Sequence, residues 1–192
     1  MIRLVLIRHF ATIGNLQKKY IGTTDEPLCE EGKKLLDKVS YPIVDMVLTS
    51  PLLRCRETAR LIYPQIRPII CDDFRECDFG EFENKNYMEL TGNPEYQAWL
   101  DSNGTLPFPK GEGVEEFKGR IFLEFQKRME FCNAKGKEAV ALVVHGGTIM
   151  SILEKYAYPK KEFYYWQVKN GSGYIADYEE KEGRIINICK IH

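Results

Sequence analysis

The sequence predicts an α/β fold: a three-layer α/β/α sandwich with a mostly parallel central sheet and a helical insertion over one edge of it. Three observations predict this. Residues 4–7 and 139–144 are unbroken apolar runs of strand length, and residues 44–48 are apolar but for Asp45, the pattern of strands buried on both faces. Such a run does not by itself exclude helix, but helical patterns alternate with the strand runs up to residue 157, and that alternation builds parallel sheets. Residues 84–134 carry only helical patterns, so they read as an insertion over one end of the sheet, without a linker around it.

The first run, Leu4-Val5-Leu6-Ile7, leads into Arg8-His9. In open α/β sheets, ligands bind outside the carboxyl ends of the strands, so this pair is the first site candidate. A turn-rich step at residues 12–15 precedes a short helical piece to about Tyr20, and residues 22–27 form a loop by composition. Residues 28–40 read as a helix, with Leu28, Leu35, Leu36 and Val39 apolar. After the second strand, Ser50 suits a helix N-cap and Pro51 the first helical position, while Leu52, Cys55, Ala59 and Ile62 share the apolar face and Pro64 ends the helix. Residues 67–71 form a third strand, edge-like because of Pro68.

Within the insertion, helical pieces near 84–91 and 94–101 lead through a Pro/Gly-rich stretch to a longer helix at about 114–134, with Phe117, Ile121, Phe125 and Met129 on one face. The strongest strand, residues 139–144, runs into His145-Gly146-Gly147 and a helix to about Tyr156. Residues 173–179 and 184–191 read as a closing hairpin.

A chain of 192 residues suits one compact domain, here residues 1–192 with the lid at 84–134. The net charge of −1 argues against non-specific nucleic-acid binding. No apolar segment approaches membrane-spanning length and no small-residue cleavage site follows the start, so a soluble cytoplasmic protein is expected. The six cysteines lack a Cys-x-x-Cys pair, which reads as reduced, mostly buried thiols. Composition leaves the oligomeric state open.

Four strand ends each deliver polar groups: Arg8 and His9, Arg54 in the first turn of the next helix, Glu76, and His145. Of three histidines, two follow apolar strands directly and the third is His192. Arginine forks match phosphate oxygens. The helix after Gly146-Gly147 adds backbone N–H groups and a positive dipole end. A neutral imidazole is a competent nucleophile, and neighbouring arginines keep it unprotonated. The Glu76 carboxyl can protonate a leaving oxygen. Phosphoryl transfer through a phosphohistidine follows, with no metal or other cofactor required. The competing reading, a metal site, lacks His-x-x-x-His spacing and would set two arginines against a cation.

These residues resemble the histidine phosphatase superfamily, the phosphoglycerate-mutase-like fold. The similar stretches are Leu6-Ile7-Arg8-His9-x-x-Thr12-x-x-Asn15, Thr49-Ser50-Pro51-Leu52-x-Arg54, Arg75-Glu76-x-x-Phe79-Gly80, and Val143-Val144-His145-Gly146-Gly147, in family order. The resemblance implies His9 as the phosphorylated nucleophile and Arg8, Arg54 and His145 as the phosphate pocket. It implies Asn15 and the Gly146 backbone as assisting groups, Glu76 as proton donor, and Thr23 or Thr24 as a further phosphate contact. Arg56 competes with Arg54 but lies about 200° further round a helix, which assigns it to the surface.

The sequence departs from the family's pattern in places. Phe10 and Ala11 replace the Gly and Glu usual after the nucleophile, and Gly14 replaces a common Trp. Phe10 either packs away from the site or reshapes it. Gly113 stands where Ser is common, leaving Glu112 as a lid contact. The short chain favours hydrolysis of a small phosphorylated metabolite over mutase chemistry, and among short relatives it is similar to the α-ribazole phosphatase branch. Tyr87, Tyr96, Trp99 and Phe108 either stack on an aromatic leaving group or hold the lid together. Phosphoglycerate mutase and a non-catalytic phospho-ligand binder are the alternatives.

Overall fold

Strand β1 (Ile2–Arg8) is buried from both sides, which is why its sequence is apolar without alternation. Leu4 and Leu6 join one core layer with helices α6 (Val114–Ala134) and α7 (Gly146–Tyr156). Val5 and Ile7 join the opposite layer with α3 (Leu53–Ile62). The period-2 alternation of a strand delivers consecutive residues to opposite faces, so both layers stay apolar. A computed structural model describes residues 1–191; the third histidine, His192, lies outside the described residues.

The six strands run in the order β3 (Ile69–Ile70), β2 (Met46–Thr49), β4 (Ala139–Val144), β1, β5 (Gly173–Glu179), β6 (Arg184–Ile191). The first four are mutually parallel, while β5 and β6 add antiparallel. The sheet is therefore mixed and mostly parallel, with the predicted edge strand β3 at one border. Register aligns the strand ends that matter. Arg8 pairs with Val144 and Thr49 with Val143, so His9, Ser50 and His145 leave the sheet at the same level.

Two sequence expectations require correction. Residues 28–40 are not one helix: α2 spans only Glu30–Lys33 and a 3-10 turn follows at Lys34–Lys38. Tertiary pairing overrides periodicity here. Cys29 N–H donates to the Ala11 carbonyl (3.1 Å), Leu28 bridges to Thr12, and Gly32 packs so tightly on the Ala11 backbone that no side chain fits. Second, the N-cap of α3 is Leu52, not Ser50. The Ser50 hydroxyl is drawn into the site instead, 2.7 Å from His145 Nε2.

Helices α1 (Ile13–Leu16), α4 (Tyr87–Leu90) and α5 (Pro94–Asp101) are short. On α6 the predicted face Phe117, Ile121, Phe125 and Met129 is buried against the sheet. All six cysteines are free, five of them buried and Cys189 exposed. No helix among the described residues is long and apolar enough to cross a membrane.

Candidate active site

The carboxyl ends of β1, β2 and β4 and the loop after β3 bring the expected residues together. His9 is buried, and its ring stands edge-on to His145 with centroids 5.2 Å apart. His9 Nδ1 lies 2.6 Å from the Phe10 carbonyl. A carbonyl only accepts, so Nδ1 carries the proton and Nε2 keeps its lone pair. Burial holds the His9 imidazole well below its usual range, and the charges of Arg54 and Arg8 push the same way; the bond to Phe10 opposes them.

His145, fully buried, caps the start of α7. Ser50 Oγ accepts from Leu52 N–H (3.3 Å) and lies 2.7 Å from His145 Nε2; where Ser50 donates to Nε2, the ring proton sits on Nδ1. That nitrogen is 3.9 Å from Glu76 Oε2. The two groups do not form an ion pair. Burial, then Arg54 and His9, keep the imidazole neutral, while burial raises the Glu76 carboxyl against the pull of the Cys77 N–H and of the nearby arginines. Cys55 Sγ also lies 3.5 Å from His145 Nε2; burial pushes this thiol up to about 12, so it stays protonated and inert.

The two arginines are anchored differently. Arg8 donates from Nη1 to the Val168 carbonyl (2.8 Å). Arg54, fully buried on α3, donates to the carbonyls of Thr24 (2.8 Å), Gly22 (2.9 Å) and Ile21 (3.2 Å). In both, Nε is buried without a partner. An unpaired buried donor costs about 1–3 kcal/mol, so two of them beside the histidines mark a place for an anion. At the start of α7 the N–H groups of Gly146, Gly147 and Thr148 precede the first intrahelical bond, from Ile149. Gly147 leaves room for Glu76: a Cβ there would stand 2.9 Å from Oε1 and 3.0 Å from the Phe117 ring.

The remaining candidates sit further out. Asn15 shares a reciprocal capping box with Thr12, and its Oδ1 also accepts from Asn170 (3.1 Å). Thr23 is exposed and lines no part of the cavity described below. Arg56 is half-buried; its N–H donates to the Leu52 carbonyl (3.1 Å), and its side chain makes no hydrogen bond among the described residues. Phe10 is fully buried with its ring near Tyr41 (6.3 Å between centroids) and against Gly171, whose positive φ and missing side chain make the room. These two partners take up its ring.

A cavity of about 610 Å3 opens beside this floor, lined by Arg8 and Glu76 but not by His9, Arg54 or His145. Arg8, Glu76, Gly146 and Gly147 form its polar end, and rings of Tyr20, Phe79, Trp99, Phe108, Phe117 and Tyr164 form much of the rest. The insertion thus contributes Trp99 and Phe108. Tyr96 is buried beneath, stacked on Trp99 and hydroxyl-bonded to Tyr20 (3.2 Å), whereas Tyr87 is exposed away from the cavity. Among the described residues no group of three or more His, Cys, Asp or Glu could hold a metal ion.

Sequence reasoning missed several supports. Asn170 donates to the His9 carbonyl (3.0 Å), Thr58 Oγ1 accepts from Phe10 N–H (2.9 Å), and Glu83 Oε1 accepts from Gly22 and Thr24 N–H groups (2.8 and 2.9 Å). None follows a strand end, so no local pattern announced them.

Residues 4–190 match the family description "Histidine phosphatase superfamily (branch 1)". A 2,3-bisphosphoglycerate-dependent phosphoglycerate mutase from Rhizobium etli is 32% identical over 79% of this chain and 78% of its own. An adenosylcobalamin/alpha-ribazole phosphatase from Escherichia coli is 28% identical over 93% of this chain and 91% of its own. The alpha-ribazole phosphatase structure from Shigella flexneri superposes with a TM-score of 0.80 at 25% identity, covering 97% of this chain and 96% of that one.

Proposed function

The chain belongs to the histidine phosphatase superfamily, and from that premise we propose that it is a metal-independent phosphomonoester hydrolase working through a phosphohistidine. The observation that carries the reading is the pair of buried, unpartnered arginine Nε donors beside a histidine whose Nε2 is unprotonated. In the first half-reaction His9 Nε2 attacks phosphorus. The bond to the leaving oxygen breaks as the Glu76 carboxyl gives that oxygen its proton. In the second, water attacks the phosphohistidine, Glu76 takes one of its protons, and the P–N bond breaks to release phosphate and restore His9. Arg8, Arg54, His145 Nδ1–H and the first N–H groups of α7 hold the phosphoryl oxygens, with Asn15 and Thr23 at the margin. Residues 84–134 act as a lid on a single domain.

For the substrate we infer a small metabolite with an aromatic or apolar leaving group, α-ribazole 5'-phosphate being the leading candidate. Its support is the cavity: beyond the phosphate end rings line much of the wall, with Asn103, Thr105 and Gln167 among them, and the one lysine, Lys118, is already paired with Glu154 (2.5 Å). A phosphoglycerate would bring a carboxylate, and in mutase chemistry a second phosphate, to walls poor in cations. The Rhizobium etli relative keeps mutase activity as a second reading. The free buried thiols favour a reducing compartment such as the cytoplasm.

A panel of α-ribazole 5'-phosphate, sugar phosphates, nucleotides and 3-phosphoglycerate tests this. Expected is phosphate release, at least about 10-fold faster in kcat/KM with aromatic leaving groups, a gain that burial of one ring can supply. EDTA should change nothing. Isomerisation of 3-phosphoglycerate outpacing hydrolysis would move the assignment to mutase, and EDTA-sensitive turnover restored by a divalent ion would move it to a metal hydrolase.

A further inference from the structure

Glu76 is the group whose aim matters most for protonating a leaving oxygen, yet its carboxyl has few tethers of its own. Oε1 accepts only from the adjacent Cys77 N–H (3.1 Å). Its direction is therefore set by the backbone of residues 73–78, and that backbone is gripped from α6 by Arg120.

The Arg120 guanidinium has five N–H donors and the structure uses five bonds. Nε and Nη2 make a fork on Glu112 (2.6 and 2.8 Å). Nη2 also donates to the carbonyl of Glu76 itself (3.0 Å), and Nη1 to the carbonyls of Asp73 (2.7 Å) and Arg75 (2.8 Å). Glu112 completes the clamp: its N–H donates to the Asp78 carbonyl (2.9 Å), and its Oε2 accepts from Asp78 N–H (3.4 Å). The pair is nearly shielded from water, with side-chain exposures of 10% for Arg120 and 5% for Glu112. The guanidinium also lies over the Phe117 ring (4.9 Å to centroid), which lines the cavity.

We propose that Arg120, held by Glu112, is a positioning residue for the proton donor, fixing the 73–78 loop so that the Glu76 carboxyl faces the leaving oxygen. This rests on the hydrolase reading above. A planar fork that binds three carbonyls and a carboxylate at once cannot be replaced by a lysine, which brings one nitrogen.

The test exploits leaving-group chemistry. General acid help matters for alkyl esters, whose leaving oxygen needs a proton, and little for 2,4-dinitrophenyl phosphate, whose leaving group does not. Arg120→Lys should lower kcat on an alkyl phosphate by about 10- to 100-fold, part of the 10²–10⁴ that general acids supply. Turnover of 2,4-dinitrophenyl phosphate should change less than about 3-fold on the same scale. Inhibition by inorganic phosphate should be unchanged. In a Glu76→Gln background, Arg120→Lys should add nothing further, because the two act as one unit. Equal losses on both esters, or none on either, would overturn the proposal. If Arg120→Lys does not fold, Glu112→Gln, which keeps one acceptor, is read by the same ratio. A wild-type protein that hydrolyses neither ester sinks the hydrolase reading and takes this inference with it, an outcome distinct from uniform losses in the variant.

Discussion

At the residue scale, nucleophilicity in His9 depends on which ring nitrogen bears the proton. The Phe10 carbonyl decides that, because it can only accept. His9→Ala should therefore remove turnover by at least about 10⁴-fold and abolish acid-labile phosphate labelling, as expected when a covalent nucleophile is lost. Phe10 itself is a packing residue on Tyr41 and the Gly171 turn. Phe10→Ala should cost about 3–5 kcal/mol of stability in denaturant melts, while kcat per folded molecule stays within a few-fold. A kcat loss larger than the stability loss explains would return Phe10 to the chemistry. The pH profile follows from the same residues. Burial lowers His9, so the nucleophile stays neutral well below the ordinary histidine value. Burial raises Glu76, so the donor keeps its proton above the ordinary carboxylate value. The competent state needs both, which makes kcat/KM bell-shaped: falling pH protonates His9, rising pH strips Glu76. Glu76→Gln should erase the alkaline limb, and an unchanged limb would assign it to another group.

At the element scale, the start of α7 is built around close approach. Gly147→Ala would place a methyl group 2.9 Å from Glu76 Oε1 and 3.0 Å from Phe117, and the carboxyl is the easier of the two to move. Expected is a fall in alkyl-ester turnover of about 10-fold or more, as a displaced general acid gives, with the protein still folded by circular dichroism. The strands and α6, α7 and the closing hairpin were legible because their apolar patterns coincide with what they bury: residues 139–144, 173–179 and 184–191 match β4, β5 and β6 residue for residue. Short connecting pieces were not. The leucines of residues 28–40 promise a helix, but Leu28 and Cys29 are claimed by the backbone of residues 11 and 12, an interaction between distant parts of the chain. Ser50 has the right chemistry for a cap and a better partner in His145. Likewise Arg120 and Glu112 lie far in sequence from every strand end, so only the fold reveals their clamp.

At the scale of the whole molecule, gathering strand ends into a dry site has a consequence for stability. His9 and His145 are both fully enclosed and both held well below the ordinary histidine value, mainly by burial. In the unfolded chain they would titrate near about 6.5. Below that pH the unfolded state binds protons that the folded state refuses, so each histidine's stabilising contribution, intact above about 6.5, is lost as pH falls toward its folded value. Glu76 works in the opposite sense. Its carboxyl is raised, so its contribution is intact at low pH and lost as pH rises through the folded value. Two histidines against one carboxyl give a net loss on the acid side of neutrality. Thermal melts between pH 8 and 5 should therefore show Tm falling below about pH 6.5, as stability is lost at up to about 1.4 kcal/mol per pH unit for each histidine. His9→Asn should remove one histidine's share of that slope. Inorganic phosphate, bound by the folded state alone, should raise Tm at every pH where the two arginines remain paired with it. A Tm that stays flat down to pH 5, in wild type and His9→Asn alike, would mean that the histidines gain protons in the folded protein, and the neutral nucleophile would go with it.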